Sequence, residues 1–363
     1  MAIWTRDQTA SASTGRGQLI GAIRVAMEAR FDVEHVQLCH VLDPKLRSHL
    51  WRLLPELWQG LRTRQALPLQ CLIYLPHWQL SPLLAARTEP APDIVYLDGI
   101  RGVPFLATLR RAFPPAPIVV DMDDLMSRRW PSLRRAGVGL TFGFLERYLP
   151  SRLLPLLQQG FLARWILAFE TRTLRALELK SAAEADLVVF NSPTDAGIYS
   201  RLVDRHGRRR ADVAVILPPA PKLPPAPRWT GAPKLRFIFI GTDQIPQNWL
   251  SIDHLVSMWQ RLAPPAELVI VGRLQRSYPT CPNVTYAGFV ADLRDVYTAE
   301  SVLLTPAFAA GGVKTKVIEA FAYGCPVLGN HATFDGLPLP KSYPLRLPLP
   351  AIDSVVAQPE QHL

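Results

Sequence analysis

Residues Ala309 to Asn330 read AAGGVKTKVIEAFAYGCPVLGN. A Gly-Gly turn (Gly311, Gly312) leads into a predicted helix carrying Lys314, Lys316 and Glu319. Gly324 ends the helix, and Pro326-Val327-Leu328 opens a buried strand. Backbone N–H groups at a helix start carry roughly half a positive charge and attract phosphate. The two lysines add charge beside them. Glu319, one to two turns deeper, is placed to accept hydrogen bonds from sugar or ribose hydroxyls. Each part alone also reads as a plain turn, solvated lysines or an exposed carboxylate. Their order and flanks together suit a nucleotide-diphosphate sugar.

Working outward, LRFIFIGTDQIPQNWLSIDHL (Leu235 to Leu255) reads as a strand, a loop and a helix containing Asn248. AELVIVGR (Ala266 to Arg273) is a second strand, and NVTYAGFVADLRDVYTAESVLLTPA (Asn283 to Ala307) continues the alternation. These stretches, with the one quoted first, resemble the signature of retaining glycosyltransferases of family 4, the group 1 transferases. The specific part covers Leu235 to Pro338; the N-terminal half resembles the family loosely. The resemblance implies an α/β GT-B fold, two Rossmann-like domains facing each other across a cleft. It implies a donor site of Gly241 and Thr242 at the diphosphate, with Gly288, Phe289 and Val290 near the nucleobase. Arg273, Gly311, Gly312, Val313 and Lys314 complete that donor set, and Lys316 and Glu319 act in catalysis. In the mechanism usually proposed for the family, a diphosphate oxygen takes the acceptor proton, and the protein positions and stabilises charge.

Two departures stand out. Many members carry two glutamates eight positions apart; Glu319 fits the second, and Gly311 occupies the first position. That resembles the exopolysaccharide-type subgroup with a Gly-rich turn and Lys-x-Lys. The family's Arg/Lys pair after the first C-domain strand is replaced by Gly241-Thr242-Asp243. Phosphate charge then falls to Lys314, Lys316 and Arg273.

Composition bounds the rest. The chain has 363 residues, 48% of them apolar, enough for two cores. Seven prolines between Leu217 and Pro233 read as a semi-rigid linker. This predicts an acceptor-binding domain over 1–217, a linker over 218–233 and a nucleotide-sugar domain over 234–363. After Gly336 one short helix is expected, a tail short for the GT-B pattern. No secretory signal or membrane span is evident. Cys39, Cys71, Cys281 and Cys325 are scattered, which argues against a zinc site or a disulfide framework. A cytoplasmic protein is expected.

The net charge is +10. Met126 to Arg210 holds 15 Lys/Arg against 7 Asp/Glu. Such a patch attracts anions. No nucleic-acid module is recognisable, so nucleic acid is not expected as a partner. From Phe142 to Glu178, five arginines alternate with Phe, Leu, Trp and Tyr. This pattern fits docking on an anionic membrane surface at the inner face of the plasma membrane; it also fits a helical insertion packed on the core. Docking would make a lipid-linked saccharide the natural acceptor.

In the N-terminal half, strands are predicted at Ala2–Thr5, Val33–Leu38, Leu69–Leu75, Asp93–Leu97, Pro117–Val120 and Ala185–Phe190. A helix from Gln18 to Arg30 follows Gly15 and Gly17, which resemble an acceptor-side loop. Asp98 follows a strand and is either a donor-sugar contact with a catalytic role or a helix cap. Asp121, Asp123 and Asp124 in VVDMDDLMSRRW form a D-x-D cluster. It reads as acceptor-side or structural, paired with Arg128 and Arg129; a metal-dependent D-x-D enzyme using Asp121 and Asp123 is the alternative. The leading expectation is a metal-independent, cofactor-free hexosyltransferase. A non-catalytic GT-B-like nucleotide- or glycan-binding protein stays open beside it.

Overall fold

The computed structural model describes residues 1–5, 15–43, 46–62, 65–85, 90–140, 152, 157–158, 160–207, 211–221 and 235–363. Residues 222–234 of the proline-rich stretch and residues 142–151, 153–156 and 159 of the basic stretch lie outside these. The chain divides into two compact units, Met1–Pro131 with Gly139–Leu217 and Ser132–Val138 with Pro218–Leu363.

The first unit is built on a parallel sheet of β1 (Ala2–Trp4), β2 (His35–Gln37), β3 (Val95–Asp98), β4 (Ile118–Asp123), β5 (Leu187–Phe190) and β6 (Asp212–Val215). Their spatial order is β2-β1-β3-β4-β5-β6. Alternate residues enter different cores. Ile3, Leu97, Val120 and Phe190 share one, while Ala2, Trp4 and Tyr96 share another with Ile20. Burial on both faces explains why these strands read as apolar runs rather than alternating patterns. The order reverses between β1 and β3, so connections leave in opposite directions there and open a crevice at the strand carboxyl ends.

One predicted strand is absent. Leu69–Leu75 instead contains a short helix, Leu69–Leu72, preceded by Pro68, with Gln70, Cys71 and Leu72 buried. A short apolar run fits a buried helix as well as a buried strand. Here the Glu170 carboxylate accepts from the Gln70 N–H, meeting a donor that the helix start leaves unpaired.

The second unit holds β7 (Arg236–Ile240), β8 (Glu267–Val271), β9 (Val284–Gly288), β10 (Ser301–Leu304) and β11 (Val327–Leu328). All pair in parallel, in the order β11-β10-β7-β8-β9. Phe237, Phe239, Leu268 and Ile270 pack with Ile252, Leu255 and Trp259 of helix Pro246–Leu262 and Ile352 of helix Leu349–Ala357. Ile238, Val269, Val271 and Leu303 face Val317 and Ala320 of helix Thr315–Ala322. Each such fully buried aliphatic or aromatic side chain contributes about 1.5–3 kcal/mol. The order reverses between β7 and β10, which defines a second crevice. Two tail helices, Leu349–Ala357 and Pro359–His362, stand where the sequence predicted one.

Candidate functional site

The loops at the carboxyl ends of β7, β8 and β9, with the turn before helix Thr315–Ala322, bring most of the predicted donor residues together. The backbones crowd here. A Cβ on Gly272 would lie 2.3 Å from the Gly241 carbonyl oxygen, and one on Gly241 would lie 2.7 Å from Asn248 Nδ2. Only glycine lets the two loops approach this closely. Gly241 N–H donates to the Val271 carbonyl at 2.9 Å, and Gly272 N–H to the Gly288 carbonyl at 2.8 Å.

Side chains extend this frame. Lys316 Nζ donates to Asn248 Oδ1 at 3.0 Å. Asn248 Nδ2 donates to the Thr242 carbonyl at 2.9 Å, and Thr242 Oγ1 to the Arg273 carbonyl at 2.9 Å. The Arg273 guanidinium lies over the ring of Phe289, 4.8 Å from its centroid. Phe289 is 61% exposed, so the pair offers a flat apolar and cationic platform to a ligand. Val290 is half-buried and packs on the second-unit core. Asp243 is buried and accepts from the N–H groups of Gln275 and Arg276.

Gly311 (φ 112°) and Gly312 (φ 63°) hold left-handed backbone, which a side chain would strain. Gly311 N–H donates to Asp335 Oδ2 at 3.1 Å. Lys314 is not inside the helix, as the sequence led us to expect. It precedes the first turn in extended conformation, and its ammonium reaches back to the Gly311 and Gly312 carbonyls at 3.3 and 3.4 Å. Val313 is half-buried beside it.

Lys316 also differs from a simple surface cation. Its ammonium lies over the Phe239 ring, 4.1 Å from the centroid. Burial pushes its pKa down to about 7, with Glu319 opposing and Lys314 adding to the fall. Glu319, half-buried one turn on, also raises the Tyr297 phenol, second to burial itself. Tyr297 stacks on Tyr323 at 4.7 Å, closing that side of the helix.

Asp98, Gly15 and Gly17 belong to the first unit. Helix Gly15–Glu28 starts at the β1/β3 reversal and brings in Arg16, which sequence reasoning missed. Arg16 Nη2 donates to Asp98 Oδ1 at 2.6 Å and Asp121 Oδ2 at 3.1 Å, and Nη1 lies 3.4 Å from Asp123 Oδ1. Thr5 Oγ1 donates to the Asp98 carbonyl at 3.0 Å, and Tyr96 OH to Asp121 Oδ2 at 2.6 Å. Burial opposes charge on Arg16, but the three carboxylates hold its pKa above its usual value. Burial pushes Asp121 up while Arg16 pulls it down.

Asp98 is fully buried and paired with Arg16, and no side chain caps the turn Ile100–Phe105 that follows it. Asp123 takes left-handed backbone (φ 64°) at a break in β4 register, held by Asn191 Nδ2 at 2.8 Å. Arg129 pairs with Asp124 at 2.6 Å as expected, whereas Arg128 pairs with Asp195. For the D-x-D metal reading, the Arg16 guanidinium already takes the charge-balancing place. Among the described residues no group of three or more His, Cys, Asp or Glu is arranged to hold a metal.

Residues 234–337 match the family model described as "Glycosyl transferases group 1". Among solved structures, Anabaena Alr3699/HepE in complex with UDP-glucose shares 15% identity over 100% of this chain and 91% of its own, with TM-score 0.53. Lipopolysaccharide outer core galactosyltransferase WaaB, apo form, shares 13% over 99% and 88%, with TM-score 0.52. The E. coli structure named "Trehalose-6-phosphate" bound with UDP-2-fluoro glucose shares 12% over 99% and 90%, with TM-score 0.53. The chain spans about half the length of TarM, another match at TM-score 0.47. By sequence, no curated protein matches the chain. The fold is that of GT-B glycosyltransferases, and the group 1 segment lies within the unit that holds the Gly241–Lys316 site.

Proposed function

We propose that this protein transfers a sugar, of hexose type, from a nucleotide-diphosphate sugar to an acceptor, with retention of configuration. The observation that carries the reading is the joining of Gly311-Gly312, Lys316, Asn248 and Thr242 at the order reversal of the second sheet, inside the segment that matches group 1 glycosyltransferases. The similar structures that hold UDP-sugars support a nucleotide-sugar donor.

In this reading the Gly311-Gly312 turn borders the leaving diphosphate, and Lys314 and Lys316 stabilise its charge. Glu319 accepts hydrogen bonds from hydroxyls of the donor sugar, and the Arg273–Phe289 platform takes the base. No metal or cofactor is needed for these roles. Gly15 and Gly17 stand in the first turn of helix Gly15–Glu28 rather than in a loop; they flank the acceptor side, and Arg16, held by Asp98, Asp121 and Asp123, positions that turn. The acceptor is a lipid-linked saccharide of polysaccharide or glycoconjugate assembly, met at the inner face of the plasma membrane. Exposed Phe161, Leu162 and Trp165 at the start of helix Gly160–Glu184 support the membrane part. Among the described residues no helix is long and apolar enough to cross a membrane.

Thermal stability against UDP, GDP, ADP and CMP, each with and without EDTA, tests the donor site. Ligand at about 100 times its Kd should add roughly 2.7 kcal/mol. A shift from one diphosphate that survives EDTA supports the reading and names the donor base. No shift from any nucleotide overturns it.

A further inference from the structure

A second apolar surface lies outside the basic stretch singled out in the sequence. The 3-10 turn Arg47–Arg52 runs into helix Leu53–Arg62. Trp51, Leu54 and Trp58, at spacings of three and four, are 59%, 71% and 62% exposed, and Leu57 is 42% exposed. Leu50 and Leu53 pack on the core instead, and Glu56 is buried. The amphipathic pattern is thus inverted: the solvent side carries the large apolar residues. A helix of a water-bathed surface shows the reverse.

The charge around the stripe selects its occupant. Between Lys45 and Arg64 the sequence holds five Lys/Arg and one acid, Glu56, which faces inward. The Arg52 guanidinium lies 4.6 Å from the Trp51 ring centroid, and that of Arg62 lies 5.3 Å from the Trp58 ring centroid. Each exposed indole therefore has a cation beside it. Indoles settle at the headgroup level of a bilayer, where guanidinium groups meet lipid phosphates. The short helix cannot span a membrane, so its geometry is that of a helix lying in the interface plane.

We propose that residues Arg47–Arg62 form an interfacial docking surface for a bilayer containing anionic phospholipid. Trp51, Leu54 and Trp58 insert at the boundary between headgroups and acyl chains, and Arg47, Arg52 and Arg62 contact headgroup phosphates. The surface belongs to the first unit and the donor site to the second, so docking and donor binding are measured separately.

The test is flotation of the full chain with vesicles of phosphatidylcholine alone or with about 30% phosphatidylglycerol. The comparison variant carries Trp51→Ser, Leu54→Gln and Trp58→Ser. These side chains are exposed, so circular dichroism and melting temperature should stay near wild type. Wild type should float with the anionic vesicles and release in high salt, and the variant should partition at least about tenfold less. An Arg47→Gln, Arg62→Gln variant should lose the preference for anionic vesicles. Equal flotation of the triple variant and wild type, or no flotation of wild type, overturns the proposal. So does a concentration-dependent dimer that the triple variant abolishes, which would assign the stripe to a second copy. Nucleotide-induced stabilisation, measured on the same proteins, reports separately on the donor site.

Discussion

Lys316 donates its hydrogen bond to Asn248 Oδ1 at 3.0 Å, across 68 residues of sequence. The contact ties the helix after the Gly-Gly turn to the helix after β7. It also holds an amine on an aromatic ring, where burial lowers its pKa to about 7. A diphosphate placed nearby favours the charged amine and raises that pKa.

Nucleotide binding should therefore take up a proton above neutrality. Below about pH 7 Lys316 is already charged and adds no pH dependence to UDP affinity; protonation of the UDP terminal phosphate, at about pH 6, acts separately. Above about pH 7, affinity should fall, approaching about tenfold per pH unit until the pKa of the bound state is reached. Calorimetry at pH 8 in buffers of different ionisation enthalpy checks this, and Lys316→Met should abolish the uptake. Identical heats in all buffers would contradict it.

Glu319→Ala should leave melting temperature nearly unchanged, because the side chain is half-buried on one helix face. Transfer should fall by roughly 10- to 100-fold in kcat/KM, the worth of one or two hydrogen bonds to a charged acceptor. Unchanged turnover would remove Glu319 from the donor site.

Arg16→Ala leaves Asp98, Asp121 and Asp123 without their shared cation. A destabilisation of about 3–5 kcal/mol is expected at neutral pH. The loss should shrink toward pH 4 as the carboxylates protonate and the uncompensated charge disappears. Urea titrations of both proteins at several pH values give the difference directly. A pH-independent loss would mean that Arg16 acts by packing alone.

Glu178 accepts from Ser127 N–H at 2.9 Å and Ser127 Oγ at 2.6 Å, and burial pushes its pKa up to about 7. Between the unfolded value near 4.5 and the folded value, the folded state holds a proton that the unfolded chain has lost. Stability from this group therefore falls as pH rises from about 4.5 to 7 and is level above. Glu178→Gln keeps one acceptor oxygen and should flatten that part of the stability curve. Glu170, also raised to about 7, adds a slope of the same sign that the variant retains.

The second unit was legible because its chemistry is local. Gly241, Gly311, Gly312 and Lys316 sit in short strand–loop–helix units whose punctuation is printed in the chain. The first unit was less so. Arg16 meets Asp98 and Asp121 over 82 and 105 residues, and only the β1/β3 reversal makes them neighbours. The Gly15-Arg16-Gly17 sequence was the available signal, and its glycines drew attention away from the arginine. Leu69–Leu75 shows a different limit, since an apolar run does not state its period. Trp51, Leu54 and Trp58 show a third. Their spacing announces a helical face but not which way it points.

Asp243 gathers the N–H groups of Gln275 and Arg276 at 2.7–3.0 Å, fastening the loop after β7 to the loop after β8. With Gly241 and Gly272 in backbone contact beneath, the floor of the site is held by contacts within the protein itself. A nucleotide entering it would spend little free energy on ordering these loops. Hydrogen exchange at Gln275 and Arg276 should then be as slow in the ligand-free protein as in the complex, a mould rather than a hand that closes.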